Sequence, residues 1–153
     1  MDAKLVNPFI DAFMTVMPQM GFQNITRAKM TVRDKVATSL GVTIIVGFTK
    51  QIRGNVVYNM TEDTAKYIAS TMMMGMPVDT FNDMAQSAIS EMSNMLTANA
   101  ATNLTALGLE VDISTPSLSV GSDFQVKISN EQYLMVEMDL NGHPLEINIA
   151  VQS

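Results

Sequence analysis

The sequence predicts an α+β domain in which a mainly antiparallel sheet is crossed by one long central helix. Helical and β-type segments occur in blocks: one helix, a run of strands, two helices and a second run of strands. The stretch from Thr80 to Leu107 contains neither proline nor glycine, and Gly108 ends it. A helix of that length spans roughly 40 Å at about 1.5 Å per residue, comparable to a whole domain, so we expect it to lie across the sheet.

The first predicted helix runs from Asp2 to Met20. Its apolar residues recur at three- and four-residue spacing, which is typical of an amphipathic helix. They are Val6, Phe9, Ile10, Phe13, Met14 and Met17. Pro8 lies within the first two turns, where a missing backbone N–H costs least. Pro18 and Gly21 mark the end of the helix.

Three β-type runs follow the first helix. They cover Asn24–Val32, Ala37–Phe48 and Asn55–Met60. The segment from Val42 to Phe48 is rich in β-branched residues, so it favours a strand over a helix. Gly54 is expected to open the returning strand of a hairpin.

A second helix is predicted from Thr61 to about Met74. Thr61 supplies a hydroxyl N-cap, and Glu62 and Asp63 place acids in the first turn, where the helix dipole favours them. Gly75 ends this helix.

The chain after Gly108 returns to the strand pattern. The predicted strands are Leu109–Ile113, Ser117–Val120, Phe124–Ser129, Tyr133–Leu140 and Leu145–Val151. Asn141-Gly142 separates the last two and is a strong hairpin signal. His143, the only histidine, follows this turn and is expected to face solvent.

Length and composition predict a single globular domain over residues 1–153. The chain is 47% apolar and 16% charged, which is enough apolar sequence for one packed core. Its fifteen methionines are read mainly as core residues. The absence of cysteine excludes disulfides, thiolate catalysis and cysteine metal sites.

Charge and hydropathy also restrict the partners. The net charge of −6 and the nine scattered basic residues argue against nucleic-acid binding. The longest strongly apolar stretch, about Leu40 to Phe48, is far shorter than the ~20 residues of a membrane span. The first residues lack the layout of a signal peptide, so we expect a cytoplasmic protein without a membrane partner.

The long helix has two unlike faces. The residues expected in the core are Phe81, Ala85, Ala88, Ile89, Met92, Met95, Leu96, Ala100 and Leu107. The opposite face carries Ser87, Glu91, Asn94, Ala98 and Ala101, spaced at i, i+4, i+7, i+11 and i+14. An ordinary solvated face is rich in Lys, Glu, Gln and Arg. One acid and one amide among small residues predict a docking surface with two functional side chains.

The spacing Ser87-x-x-x-Glu91-x-x-Asn94, with Pro116 twenty-two positions after the asparagine, resembles the signature of the CheC/CheX/FliY family of chemotaxis phosphatases. The resemblance extends over nearly the whole chain. Further matching segments are Met1–Ala3 with Val6-Asn7, the Gly47–Gly54 hairpin, Met72–Met76 and Val111–Ile113. A single Glu-x-x-Asn pair in a short chain is most similar to the CheX type.

The resemblance implies a phosphatase acting on the aspartyl phosphate of a CheY-type response regulator. It assigns Asn94 to orienting the attacking water and Glu91 to pairing with the regulator's active-site lysine. Ser87 takes a supporting place, and Ser87, Ala98 and Ala101 form partner-binding surface. No cofactor or metal is expected on this chain, because the Mg²⁺ would be held by the regulator. A CheX-type protein is also expected to form a homodimer through its β-sheets.

The residue chemistry agrees with these roles. Phosphoryl transfer depends on positioning and charge compensation more than on covalent help. A carboxamide is neutral and both donates and accepts hydrogen bonds, so Asn94 can hold a water next to an anionic group. Glu91 lies three residues earlier and projects beside it.

Several features depart from the family pattern. Ser90 and Ala98 stand where the family usually has glycine, and Lys50-Gln51 replaces a glycine-rich hairpin tip. The first helix lacks a second Glu-x-x-Asn pair. Two alternatives to phosphatase activity are therefore kept: a non-catalytic receiver-binding module and a scaffold dimer of the same fold. A separate, simpler interpretation is that Glu91 and Asn94 are ordinary surface residues.

Overall fold

A computed structural model describes residues 3–152 and confirms the α+β class with antiparallel strands. The elements are a 3₁₀ turn Ala3–Leu5, α1 Asn7–Gln19, β1 Ile25–Lys50, β2 Arg53–Met60, α2 Glu62–Met72, α3 Asp83–Ala106, β3 Val111–Ile113, β4 Ser117–Leu140 and β5 His143–Gln152. None of the helices in this described part is both long and apolar enough to cross a bilayer.

The sheet is built around two unusually long strands. Its order is β2-β5-β4-β1-β3, and β2 also pairs with β1, so the pairings β1–β2–β5–β4 close on themselves. Residues 25–34 of β1 pair with residues 132–140 of β4, and residues 36–45 pair with residues 117–127. β1 and β4 therefore form one long two-stranded ribbon. At one end of the ribbon β1 also pairs with β2, and at the other end β4 also pairs with β5.

The predicted strand breaks within β1 and β4 were wrong. Asn24–Val32 and Ala37–Phe48 form one strand, and the three predicted strands between Ser117 and Leu140 also merge. Strand pairing continues on both sides of the interrupting residues after a shift in register. One such shift lies between Asp34 and Val36, where Lys35 has a φ of 61°. Because the partner strand keeps the flanking hydrogen bonds, a polar residue becomes a bulge instead of a turn.

The helices match the predicted segments with small changes at their ends. α1 begins at Asn7, and Pro8 lies in its first turn, where no intrahelical donor is lost. The predicted start at Asp2 lies outside the described residues. α2 begins as predicted, because the Thr61 hydroxyl accepts a hydrogen bond from the Thr64 N–H at 3.2 Å. The Asn141-Gly142 hairpin also forms, with φ of 52° and 90° at its two residues.

α3 packs on α1, α2 and the sheet through the predicted apolar stripe, with one correction. Leu107 is 59% exposed, whereas Leu104 is 1% exposed and takes the core position. The helix ends at Ala106, so Leu107 lies beyond its last packed turn. The N-cap is Asn82, whose side-chain oxygen accepts from the Ala85 N–H at 2.9 Å.

A buried hydroxyl pair fixes α3 to the sheet. The Thr97 hydroxyl donates to the Ser93 carbonyl at 2.8 Å, so at 3.0 Å it accepts the proton of the Tyr58 hydroxyl. Burial raises the pKa of Tyr58, which keeps this donor protonated. The bond joins β2 directly to the helix that carries Glu91 and Asn94.

We expect Tyr58→Phe to lower the free energy of unfolding by about 1 kcal/mol, the usual net value of a buried hydrogen bond. For a domain of this size that corresponds to roughly 2–4 °C in Tm. Tyr67→Phe is the matched control, because in the described structure the Tyr67 hydroxyl has no hydrogen-bond partner. Thermal unfolding followed by circular dichroism checks both variants. Equal Tm values for the two would contradict a structural role for the Tyr58–Thr97 bond.

Candidate functional site

The outward face of α3 carries the five residues singled out from the sequence. Ser87, Glu91 and Ala98 are exposed, and Asn94 and Ala101 are half-buried. None of these side chains points into the core, which is filled by the opposite side of the helix.

Ser87, Glu91 and Asn94 line an open groove between α3 and the segment that connects β3 to β4. Pro116 lines the facing wall of the same groove. The structure therefore places Pro116 opposite three helical residues that precede it in sequence by more than twenty positions. Ala98 and Ala101 lie on the same helix but outside the lining of the groove.

The structure adds groove residues that the sequence analysis did not single out. From α3 these are Asp83 and Gln86, and from the facing segment they are Ile113, Ser114, Thr115 and Leu118; Ser90, noted above only as a departure from the family pattern, also lines the groove. The helical residues share the face of Asn94 by their three- and four-residue spacing, so the helical projection contains them. The facing wall has no local sequence signal except Pro116.

The segment between β3 and β4 forms the facing wall of the groove, and it has one residue more than the part of β1 that lies opposite it. β3 pairs with the end of β1 through Phe48 and Ile113, and pairing resumes between Ile45 and Ser117. Residues 114–116 therefore stand opposite residues 46–47, which is the arrangement of a β-bulge. Bulges turn side chains away from the regular ladder, and here the turn directs Thr115 and Pro116 toward the groove.

The groove is acidic and polar. Among the residues that the structure describes, Asp83 and Glu91 are the only ionisable ones in its lining, so no described lysine, arginine or histidine balances their charge there. In the described part of the chain, Glu91 has no salt bridge and Asn94 has no side-chain hydrogen bond. The groove thus offers a free carboxylate for a cation and a free amide with both donor and acceptor available.

This arrangement fits a site that positions a water better than one that forms a covalent intermediate. The groove lining has hydroxyls on Ser87, Ser90, Ser114 and Thr115, and among the described residues it contains no imidazole or amine that could activate them. Within residues 3–152, no three His, Asp or Glu side chains gather as a metal site.

One side chain outside the groove, His143, differs from its prediction. His143 is half-buried and begins β5, and its ring stacks on Tyr67 with centroids 3.9 Å apart. The prediction of a solvent-facing turn residue was therefore wrong, since Tyr67 of α2 covers one face of the imidazole. Asn103 is half-buried and donates to the Pro8 carbonyl at 3.0 Å, which ties α3 to α1.

Comparisons with known proteins agree with the resemblance seen in the sequence. Residues 42–139 match the family model described as chemotaxis phosphatase CheX. The chain is 32% identical over 128 residues to the CheY-P phosphatase CheX of Thermotoga maritima, covering 83% of this chain and 82% of that protein.

Solved structures give the same picture. A chain of the CheX–CheY–BeF3–Mg²⁺ complex from Borrelia burgdorferi is 28% identical, with a TM-score of 0.84 and coverage of 97% of this chain and 98% of that chain. A CheC-like superfamily protein from Shewanella sp. PV-4 has a TM-score of 0.88 over 100% of both chains, and its 22% identity supports the fold alone. From the family match and the Thermotoga relative, the chain belongs to the CheX family of chemotaxis phosphatases.

Proposed function

We propose that this protein hydrolyses the aspartyl phosphate of a CheY-type response regulator. The observation that carries the proposal is the unpartnered pair of Glu91 and Asn94 on one exposed helix face, inside a groove open to a second protein. The similarity to a CheY-P phosphatase and to a CheX chain solved with CheY supports the same partner. The cytoplasmic location expected from the sequence is part of the proposal.

In the proposed reaction, the regulator inserts its phosphorylated aspartate into the groove beside Asn94. The Asn94 carboxamide oxygen accepts a hydrogen bond from a water, and its N–H group can donate to a phosphoryl oxygen. The water attacks phosphorus in line with the bond to the aspartate oxygen. That bond breaks, the aspartate leaves as a carboxylate, and inorganic phosphate carries away the oxygen of the water together with its two protons.

Charge compensation in this reaction comes from the regulator. The residues of the groove supply no cation, so Mg²⁺ and a lysine of the regulator would offset the phosphoryl charge. Glu91 then acts as an anchor, because its carboxylate can pair with that lysine when the two surfaces meet. Neutral Asn94 approaches the phosphoryl group without repulsion, while the negative Glu91 lies one helical turn away.

A direct assay tests the proposal against its two alternatives. The purified protein is added at substoichiometric amounts to a phosphorylated CheY-type receiver domain, and release of inorganic phosphate is followed over several turnovers. Multiple turnovers support the phosphatase. Binding to the receiver without accelerated release would instead identify a non-catalytic binding module. Failure to bind any phosphorylated receiver would favour a scaffold.

We also propose that the protein forms a homodimer through the β1–β4 ribbon. Residues 25–34 of β1 pair only with β4, so in the described structure their other backbone edge is open. The ribbon exposes several apolar side chains. They are Met30, Val32, Val36, Leu40 and Val120. An open edge with apolar side chains is a site for strand pairing between chains.

The charges of the ribbon favour a second copy as its partner. Residues 25–40 contain Arg27, Lys29, Arg33 and Lys35 but only one acid, Asp34. The chain as a whole carries −6, so the remainder of the molecule is strongly acidic. Within the ribbon, residues 117–140 of β4 contain four acids and one lysine. The basic β1 strand of one copy and the acidic β4 strand of another therefore attract each other when the two ribbons meet.

We expect Val32→Asp to weaken the dimer at least tenfold, because Val32 is 57% exposed on the ribbon and a carboxylate there would be desolvated in the interface. Light scattering coupled to size-exclusion chromatography, over a range of concentrations, measures the change. Met74→Asp is the control, since Met74 is 98% exposed and lies after α2, away from the ribbon. Dimers of unchanged stability in Val32→Asp would contradict this interface.

A further inference from the structure

The bulged segment opposite Asn94 is held to the sheet by one side chain. We propose that Ser114 is a positioning residue, which fixes Thr115 and Pro116 across the groove from Asn94 and so defines where the attacking water can sit. The inference rests on the proposed phosphatase activity and names a further residue on which that activity depends.

The geometry at Ser114 is a reciprocal pair of hydrogen bonds with Gly47. The Ser114 N–H donates to the Gly47 carbonyl at 2.8 Å. The Gly47 N–H in turn donates to the Ser114 hydroxyl oxygen, also at 2.8 Å. The same hydroxyl donates to the Thr115 carbonyl at 3.3 Å.

The bulge explains why the Ser114 hydroxyl is needed as a hydrogen-bond acceptor for the Gly47 N–H. Three residues, 114–116, stand opposite two, so the regular ladder gives the Gly47 N–H no carbonyl partner across this step. The Ser114 side chain takes that place. Its second bond, to the Thr115 carbonyl, orients the peptide that leads into Pro116. One hydroxyl therefore sets the direction of the residues that form the facing wall.

The position of this wall matters for the reaction more than for affinity. Affinity for the regulator comes from the whole outward face of α3, including Glu91. The wall instead limits the space beside Asn94 in the docked complex, where a displacement of about 1 Å in a reacting group can cost 10²-fold in rate. Pro116 suits this role, since its ring restricts the backbone of the wall.

The test compares kcat and KM of variants at Ser114 with the phosphorylated receiver domain as substrate. Ser114→Ala is expected to lower kcat roughly tenfold and to change KM less than twofold, because the wall is displaced while the docking face is intact. Ser114→Thr retains the hydroxyl and is expected to restore kcat to within about twofold of the wild type.

Thr61→Ala is the matched control. The Thr61 hydroxyl also accepts a backbone hydrogen bond, from the Thr64 N–H at 3.2 Å, and it caps α2, outside both the groove and the ribbon. We expect wild-type kcat for this variant. Circular dichroism establishes that each variant is folded before its kinetics are compared.

Three results would overturn the inference: wild-type kcat in Ser114→Ala, an effect confined to KM, or a Ser114→Thr variant as slow as Ser114→Ala. These results differ from failure of the proposed function itself. In that case the wild-type protein would not release phosphate from any receiver, and no difference between variants could arise.

Discussion

Asn94→Ala is expected to slow dephosphorylation of the regulator by 10²- to 10³-fold, the usual cost of losing one preorganised polar group that acts at the reacting centre. The effect should appear in kcat, because the Asn94 amide is proposed to act on the water and the phosphoryl group after docking. KM should change little, since Glu91 and the surrounding surface are retained. Single-turnover and steady-state release of phosphate measure the two parameters.

Asn99→Ala separates this loss from a general effect on the helix. Asn99 is a half-buried asparagine of α3 that lies outside the groove, and its one side-chain bond is a long 3.5 Å contact from Asn103. Both substitutions exchange the same amide for a better helix former, so neither should destabilise α3. If Asn94→Ala retained wild-type turnover, or if Asn99→Ala lost as much, Asn94 would have no role at the phosphoryl group.

The outward face of α3 was predictable because it depends on one helix. Helical periodicity fixes which side chains share a face, so the sequence placed Glu91 and Asn94 together and opposite the core. The cap at Asn82 and the exposure of Leu107 were missed, since both depend on where the helix stops packing against its neighbours.

The facing wall of the groove could not be derived in the same way. It arises where β3 and β4 pair with β1 around a bulge, and the register of long-range strand pairing has no local sequence code. For the same reason β1 and β4 were predicted as several short strands. Lys35 and Gly121 resemble turn residues locally, but Gly121 pairs with Gly41, and Lys35 is an unpaired bulge residue between the paired residues Asp34 and Val36.

Glu91→Gln should raise KM for the phosphorylated regulator roughly 10- to 100-fold with kcat nearly unchanged. The substitution retains the shape of the side chain and removes its charge, so it tests the proposed pair with the regulator's lysine. Glu91 has no ion pair in the described part of the free protein, hence its full charge is available to the partner. Loss of one member of a charge pair that becomes buried on binding mainly increases dissociation.

The matched control is Asp63→Asn, which makes the same change in net charge at an exposed position on α2, outside both the groove and the ribbon. If KM depends only on the overall charge, the two variants will behave alike. If Glu91 anchors the regulator, only Glu91→Gln will raise KM, and it will also reduce the salt dependence of binding, because one charge pair has been removed from the interface. Equal KM values for the two variants would therefore refute the anchor and leave Asn94 as the only functional side chain on this face.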